Sequence, residues 1–567
     1  MVALSSLAVA WTQLLSNYAQ LLPSSAADWA LLAYNVLDRP SSPRVSTPHA
    51  ASVGTAVGAG PFHWSLCPDH ADDMRYQCGY LTVPLDHLDP TTNATLDIAV
   101  QKYTTNATPS LGTILVNPGG PGGPGTGMAI PLMATITGGQ YDILGFDPRG
   151  IGKSRPMQCS KNRFTAAIEG AAIADLESPL AHGFISDAEA DAYASNYALP
   201  IARCHLYDGD YLPYLSTAFV ARDMDLIRAA LGQDLMHYYG VSYGSFLGIT
   251  YANMFPQRVG RFVIDAVLDP ELYTGPAPAL MAGSFRDTDR IFAGFAADCE
   301  AAGPRNCALA DSSAPRPYLL SRLRAFLANV TASPLLVPGG DDVVRLTDTA
   351  VRNLIVPHLY SAMRWPQLAL ELKALMDGTY SAPLKNASCD DLDADTGVGM
   401  AYQAYIGNDG DWEGNAKANW TSALRSVQNA TRVLFDPEMN NIMAVKFWKT
   451  RAVERYDGPW GKAYANKVVI LNNELDPVCP LHSAQHVRDL MGPMHSVLVT
   501  RDGYGHGAAV SQPSACLHRI LVDLYSNGSY PVNDTRCGVD HGPFDAPTLP
   551  TTLLDAMTRL ATMRIRK

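Results

Sequence analysis

The sequence predicts an α/β fold: a mostly parallel sheet covered by helices on both faces, with a large helical insertion. Three observations predict it. Short apolar runs alternate with helix-spaced runs along residues 79–267 and again along 467–500, the rhythm of parallel strands joined by crossover helices. The pentapeptide Gly240-Val241-Ser242-Tyr243-Gly244 sits between one such strand and one such helix. The strand rhythm lapses from Asp269 to about Tyr456, where helical spacing dominates.

In chain order, residues 1–60 read as a leader and a linker rich in Pro, Ser, Ala and Gly. Leu4–Leu22 fits an atypical signal peptide or an ordinary amphipathic helix, since no Lys or Arg precedes it and polar residues interrupt it. Strands are expected at Gly79–Pro84, Thr95–Tyr103, Gly112–Asn117 and Tyr141–Phe146, then a helix at Thr217–Leu231. Leu235–Val241 is apolar and aromatic, as a buried strand should be, and Phe246–Phe255 carries apolar residues at helical spacing up to Pro256. Further strands are expected at Arg261–Val267, Lys467–Asn472 and His495–Thr500. Within the insertion, Tyr318–Val330 and Trp365–Met376 have helical periodicity. The expected division is leader and linker 1–60, core 61–269, helical cap 270–456, core again 457–540 and a C-terminal extension 541–567.

The composition excludes several functions. With 567 residues, 47% hydrophobic and 17% charged, the chain is globular and large enough for two packed units. A net charge of −12 argues against nucleic acid and anionic membrane surfaces as partners. No uninterrupted apolar run reaches the ~18 residues of a membrane-spanning helix. Eight Asn-X-Ser/Thr sequons (Asn93, Asn106, Asn329, Asn386, Asn419, Asn429, Asn527, Asn533) point to glycosylation, and with it a secreted protein and disulfides among its 10 Cys. No H-e-x-x-H or C-x-x-C pattern supports a metal, and no cofactor is implied.

The G-x-S-x-G run between strand and helix has the context of a nucleophile elbow, which makes Ser242 the candidate nucleophile; the alternative is a Gly-rich turn with a buried serine. A serine nucleophile needs an acid and a base, and in an α/β-hydrolase fold they follow it in the order acid, then His. Asp476 closes the strand Lys467–Asn472 by a few residues and is the candidate acid, over Asp269, also at a strand end and before Pro, and over Glu474. His506, in Gly505-His506-Gly507 after the last strand, is the candidate base. The run Asn117–Gly125 follows a buried strand, and its glycines let backbone N–H groups approach an oxyanion. Gly120 and Tyr243 are the candidate donors; a flexible loop is the plainer reading. Asp147–Ser154 is read as a turn bracing that loop; it lacks the spacing of a phosphate loop.

These motifs, taken with Cys78–Asp86, Gly145–Ser154 and Leu475–Pro480, make the chain resemble the secreted α/β-hydrolases of the tripeptidyl aminopeptidase type, relatives of prolyl aminopeptidase. The resemblance covers about residues 60–540 and departs at Cys479, where the family usually has Thr. It implies a helical cap over the site and release of short peptides from a free N-terminus. Asp390 and Asp391 are candidates for reading the substrate amine, with a solvated carboxylate run as the plainer alternative. Pairings Cys67–Cys78, Cys159–Cys204, Cys299–Cys307, Cys516–Cys537 and Cys389–Cys479 are expected, unless one or two thiols stay free. The function expected is therefore a secreted serine exopeptidase acting on small peptides. The alternatives are an esterase, lactonase or thioester hydrolase of a small ester metabolite, and a non-enzymatic binding protein on the same fold.

Overall fold

The structure, a computed structural model, describes residues 62–160, 186–340, 342–382, 398–431, 434 and 442–545. The leader and linker, Asn386, Cys389, Asp390, Asp391 and most of the C-terminal extension lie outside the described residues. Twelve strands are described: β1 (His63–Leu66), β2 (Tyr76–Pro84), β3 (Thr95–Tyr103), β4 (Thr113–Asn117), β5 (Asp142–Phe146), β6 (Met236–Val241), β7 (Val259–Asp265), β8 (Leu335–Gly339), β9 (Asp342–Leu346), β10 (Val468–Leu475), β11 (Ser496–Tyr504) and β12 (Thr535–Cys537). Ten of them form one sheet in the order β1-β2-β3-β5-β4-β6-β7-β10-β11-β12. The pairs from β1 to β5 by way of β2 and β3 are antiparallel, and every pair from β5 onward is parallel.

The strand sequences explain this arrangement. β4, β7 and β10 are buried almost throughout, because helices cover both faces of a parallel sheet. β2 instead alternates, with Leu81 and Val83 fully buried and Tyr80 exposed. The chain runs from β4 outward to β5, then returns to the other side of β4 for β6. Loops leaving β4 and β6 therefore emerge together at the switch point of the sheet, the C-terminal strand ends where such sheets bind ligands.

The insertion between β7 and β10 holds two packing units. Helices Thr288–Ala302, Leu319–Ala332, Asp348–Leu359 and Trp365–Asp377 share a core of their own, centred on Phe295, Leu323, Leu359 and Trp365. Helices Ala277–Gly283, Val398–Asp409 and Trp420–Ala430 pack instead into the main core. The helical reading of the insertion also missed the hairpin β8–β9. Its signal was present, since Pro338-Gly339-Gly340 separates two runs rich in Leu and Val. Among the described residues, no helix is long and apolar enough to cross a membrane. Four of the expected disulfides are present: Cys67–Cys78, Cys159–Cys204, Cys299–Cys307 and Cys516–Cys537.

One buried ion pair ties the front of the sheet together. Arg149 donates from Nε and Nη2 to Asp223 (2.8 and 2.7 Å) and from Nη1 to the carbonyls of Leu85 and Tyr214. His87 Nε2 lies 2.7 Å from the same carboxylate. Tyr405 Oη, from the insertion, donates to Arg149 O at 2.7 Å. Both charges are fully buried, so neither survives alone at low cost. Asp223→Ala is expected to destabilise the fold by about 3–5 kcal/mol, read as a lowered midpoint in denaturant unfolding.

Candidate functional site

Ser242 sits where β6 turns into helix Tyr243–Met254, at φ 62° and ψ −127°. A non-glycine residue there is strained and persists only when its surroundings hold it. Its N–H donates to Asp265 O (2.9 Å), and its carbonyl accepts from Ser245 N (2.7 Å) and Ser245 Oγ (2.5 Å). The two glycines of the motif are there for space. A Cβ on Gly244 would lie 2.5 Å from Asn117 O, and one on Gly240 2.5 Å from the Tyr238 ring.

The loop after β4 packs onto this turn. Gly119 and Gly120 have φ of +93° and +123°, a region that favours glycine. A Cβ on Gly119 would clash with Val241 O and lie 2.8 Å from Tyr243 N. Asn117 Oδ1 accepts from Gly119 N (2.9 Å), and Gly123 N donates to Gly119 O (3.1 Å). Tyr243 N is the first N–H of its helix and has no partner within it. Asp147 fixes the far end of the loop by accepting from Thr126 N, Thr126 Oγ1 and Lys153 N at 2.8–3.0 Å.

Asp476, one residue beyond β10, accepts from Val478 N (2.9 Å) and Cys479 N (2.8 Å) on Oδ1. His506 Nδ1 lies 2.9 and 3.1 Å from its two carboxylate oxygens. A carboxylate only accepts, so Nδ1 carries the hydrogen, which in a neutral ring leaves the lone pair on Nε2. Neither Ser242 Oγ nor His506 Nε2, both buried, has a hydrogen-bond partner among the described residues. Buried polar atoms without partners are rare in folded proteins. Asp476, Cys479 and His506 bring ligand-type atoms within 4.8 Å of one another, the one such group among the described residues, but the carboxylate and imidazole are engaged with each other.

The rival acids have other work. Asp269 caps helix Pro270–Thr274 and meets His486 Nδ1 at 2.8 Å. Glu474 pairs at the surface with Arg536 at 2.6 Å. Asp390 and Asp391 lie outside the described residues. All seven sequon asparagines among the described residues, Asn93, Asn106, Asn329, Asn419, Asn429, Asn527 and Asn533, are exposed.

Three supporting residues escaped the sequence reading. Asp265 ends β7 fully buried, and burial raises its carboxyl above the usual range. It accepts from Tyr239 Oη (2.6 Å), Ala508 N (2.6 Å) and Ala509 N (3.1 Å). One residue thus holds both the serine turn and the histidine loop. Arg501, also fully buried, donates to the carbonyls of Tyr504, Ala508 and Gln512 and to Ser511 Oγ. Burial pulls its guanidinium down to about 10, against the opposing pull of Asp265 and Asp476. An acid that closes an apolar strand was a visible signal for Asp265; Arg501 had none.

Asp409 is the third. It ends helix Val398–Asp409 and accepts from Thr217 N (3.0 Å) and Thr217 Oγ1 (2.6 Å); that hydroxyl also meets Tyr243 Oη at 2.6 Å. Burial pushes its carboxyl up to about 7. The native value is above the unfolded one, so its stabilising contribution is complete below the unfolded value of 3.8 and is lost as pH rises through about 7.

Residues 112–298 match the alpha/beta hydrolase fold family, and residues 432–537 match the family described as TAP-like protein. The tripeptidyl aminopeptidase of Streptomyces coelicolor is 38% identical over 233 residues, 39% of this chain and 40% of that protein. The serine protease Hip1 of Mycobacterium tuberculosis is 31% identical over 281 residues, 48% of this chain and 51% of that protein. A carboxylesterase B of the same organism is 27% identical over 510 residues, 85% of this chain and 91% of that protein. The chain therefore spans about two fifths of the length of the tripeptidyl aminopeptidase it matches. Asp409→Asn is expected to flatten the fall in unfolding free energy between about pH 4 and pH 7. Denaturant titrations of both proteins across that range measure it.

Proposed function

We propose that this chain, which has the α/β-hydrolase fold and matches the TAP-like family over residues 432–537, is a secreted serine exopeptidase that releases short peptides from free N-termini. The observation that carries the reading is the strained Ser242 with its unpartnered Oγ, tied through Asp265 to the loop of an imidazole whose Nδ1 is held by Asp476 and whose Nε2 is also unpartnered among the described residues. The names of the relatives support a peptidase. Four disulfides and exposed sequons support a secretory route.

In this reading Ser242 Oγ attacks the scissile carbonyl as His506 Nε2 takes its proton. Asp476 holds the Nδ1–H tautomer and stabilises the imidazolium that forms. The oxygen of the tetrahedral intermediate is met by the N–H groups of Gly120 and Tyr243, whose worth is greatest where water is excluded. His506 then gives its proton to the leaving amine, and water activated by the same imidazole releases the acyl group from Ser242. Residues 270–456 act as the cap that limits substrate length. Asp390 and Asp391 are proposed to read the free amine.

A second reading, hydrolysis of a small ester, uses the same machinery and is favoured by the carboxylesterase match over 510 residues. A panel of free-amine tripeptide anilides, N-blocked versions and short aryl esters separates them. Cleavage of the free-amine peptides but not of the N-blocked ones is expected. Ester cleavage alone, lost in Ser242→Ala, would sink the peptidase reading. Ser242→Ala is expected to abolish turnover and labelling by a fluorophosphonate. Asp476→Asn is expected to lower kcat by about 10³–10⁴-fold, because an amide presents the wrong partner to Nδ1.

A further inference from the structure

The cap touches the histidine directly. Helix Asp348–Leu359 ends at Tyr360, whose carbonyl accepts the backbone N–H of His506 at 2.8 Å. Ser361 forms an antiparallel bridge with Gly505, and its Oγ donates to Ser511 O at 3.1 Å. The Tyr360 ring meets the His506 ring edge to face, with centroids 5.3 Å apart and planes at 69°. Tyr360 and Ser361 are buried, at 2% and 0% exposure.

The sequence of the histidine loop is fitted to this approach. Gly505 has φ +110°, and a Cβ there would fall 2.7 Å from both Tyr360 O and Ser511 Cβ. The core holds the neighbouring peptides: Gly505 N on Leu475 O, and Ala508 N and Ala509 N on Asp265. The amide of His506 itself is held by the cap. The same helix contributes Ile355 and Leu359 to the cap's core, while Val356 and Tyr360 belong to the main core. A shift of that helix therefore reaches the imidazole through a hydrogen bond and a ring contact.

Resting on the reading of His506 as the base, we propose that Tyr360 and Ser361 are positioning residues of the cap that fix the imidazole's geometry, so that cap placement sets the rate of the chemical step. A passive lid would affect which substrates bind. A positioning strap affects turnover of a substrate too small to fill the cap.

The test is steady-state kinetics on the full chain with a short-chain aryl ester and with whichever peptide anilide the enzyme cleaves, each rate normalised to folded protein by near-ultraviolet circular dichroism. Tyr360→Ala is expected to lower kcat about tenfold, the effect of about 1.4 kcal/mol, with KM within about twofold on both substrates. Tyr360→Phe restores the ring and is expected to restore kcat. Ser361→Ala is expected to lower kcat about threefold, the loss of one modest hydrogen bond. An effect on KM alone, an unchanged kcat in folded Tyr360→Ala, or a Tyr360→Phe as slow as Tyr360→Ala overturns the proposal. Should Tyr360→Ala not fold, unchanged kcat in Ser361→Ala overturns it. His506→Ala separates the two readings: activity that survives it overturns the base and the strap together. Activity lost in His506→Ala but intact in the Tyr360 and Ser361 variants overturns the strap alone.

Discussion

A serine held at φ 62° depends on everything around it. The turn is unfavourable for any side chain, so the fold must fix it from several directions at once. It does so through the Ser242 N–H on Asp265, the two Ser245 bonds to the Ser242 carbonyl, and glycines that let β4 and its loop come into contact. The sheet order matters for the same reason. Only neighbouring parallel strands whose crossovers go opposite ways bring the loop of β4 and the turn of β6 together at the C-terminal edge of the sheet. Topology makes the site, and the glycines at 119, 120, 240 and 244 let the backbone close onto it.

Asp265 extends that constraint to the histidine. Its main-chain oxygen takes the serine N–H, and its carboxylate takes two amides of the loop after His506. Burial alone would make such a carboxylate costly. Tyr239, two loop amides and the nearby charge of Arg501 offset the cost. Arg501 likewise gives its Nη1 and Nη2 to loop carbonyls. The arrangement is a buried polar network whose members hold one another, the kind that specifies one loop conformation and is disrupted when any member is lost.

Much of this was legible in the chain. Strand limits read from the chain fall within about three residues of those observed for β2 to β7, because the parallel strands have continuous apolar sequence and β2 alternates. Ser242, Asp476 and His506 stood out because each follows a strand and has Gly or Pro within the next two residues. The structure brings Asp476 and His506 into contact, and gives Asp269 and Glu474 other partners. Illegible parts are those set by contacts between distant segments. Tyr360 looked like any residue at a helix end, and Arg501 like any strand arginine. The insertion's division between two cores follows from which faces find partners, which no local pattern reports. The hairpin β8–β9 is a different kind of miss, since its turn was readable but stood within a helical stretch.

The insertion is attached to the site at both ends of the proposed chemistry. On one side Asp409 and Thr217 reach Tyr243, the residue after the serine, through its phenol. On the other side Tyr360 and Ser361 hold the amide and ring of His506. A cap joined only at its rim could move without changing the distances among the reacting groups. A cap bonded to the oxyanion side and to the imidazole side cannot, because packed interfaces shift between discrete arrangements rather than deform smoothly. Substrate selection and catalytic geometry would then share one set of contacts. A substrate that seats the cap would at the same time seat the imidazole, and binding energy from the part of the substrate far from the scissile bond could appear in kcat rather than in KM.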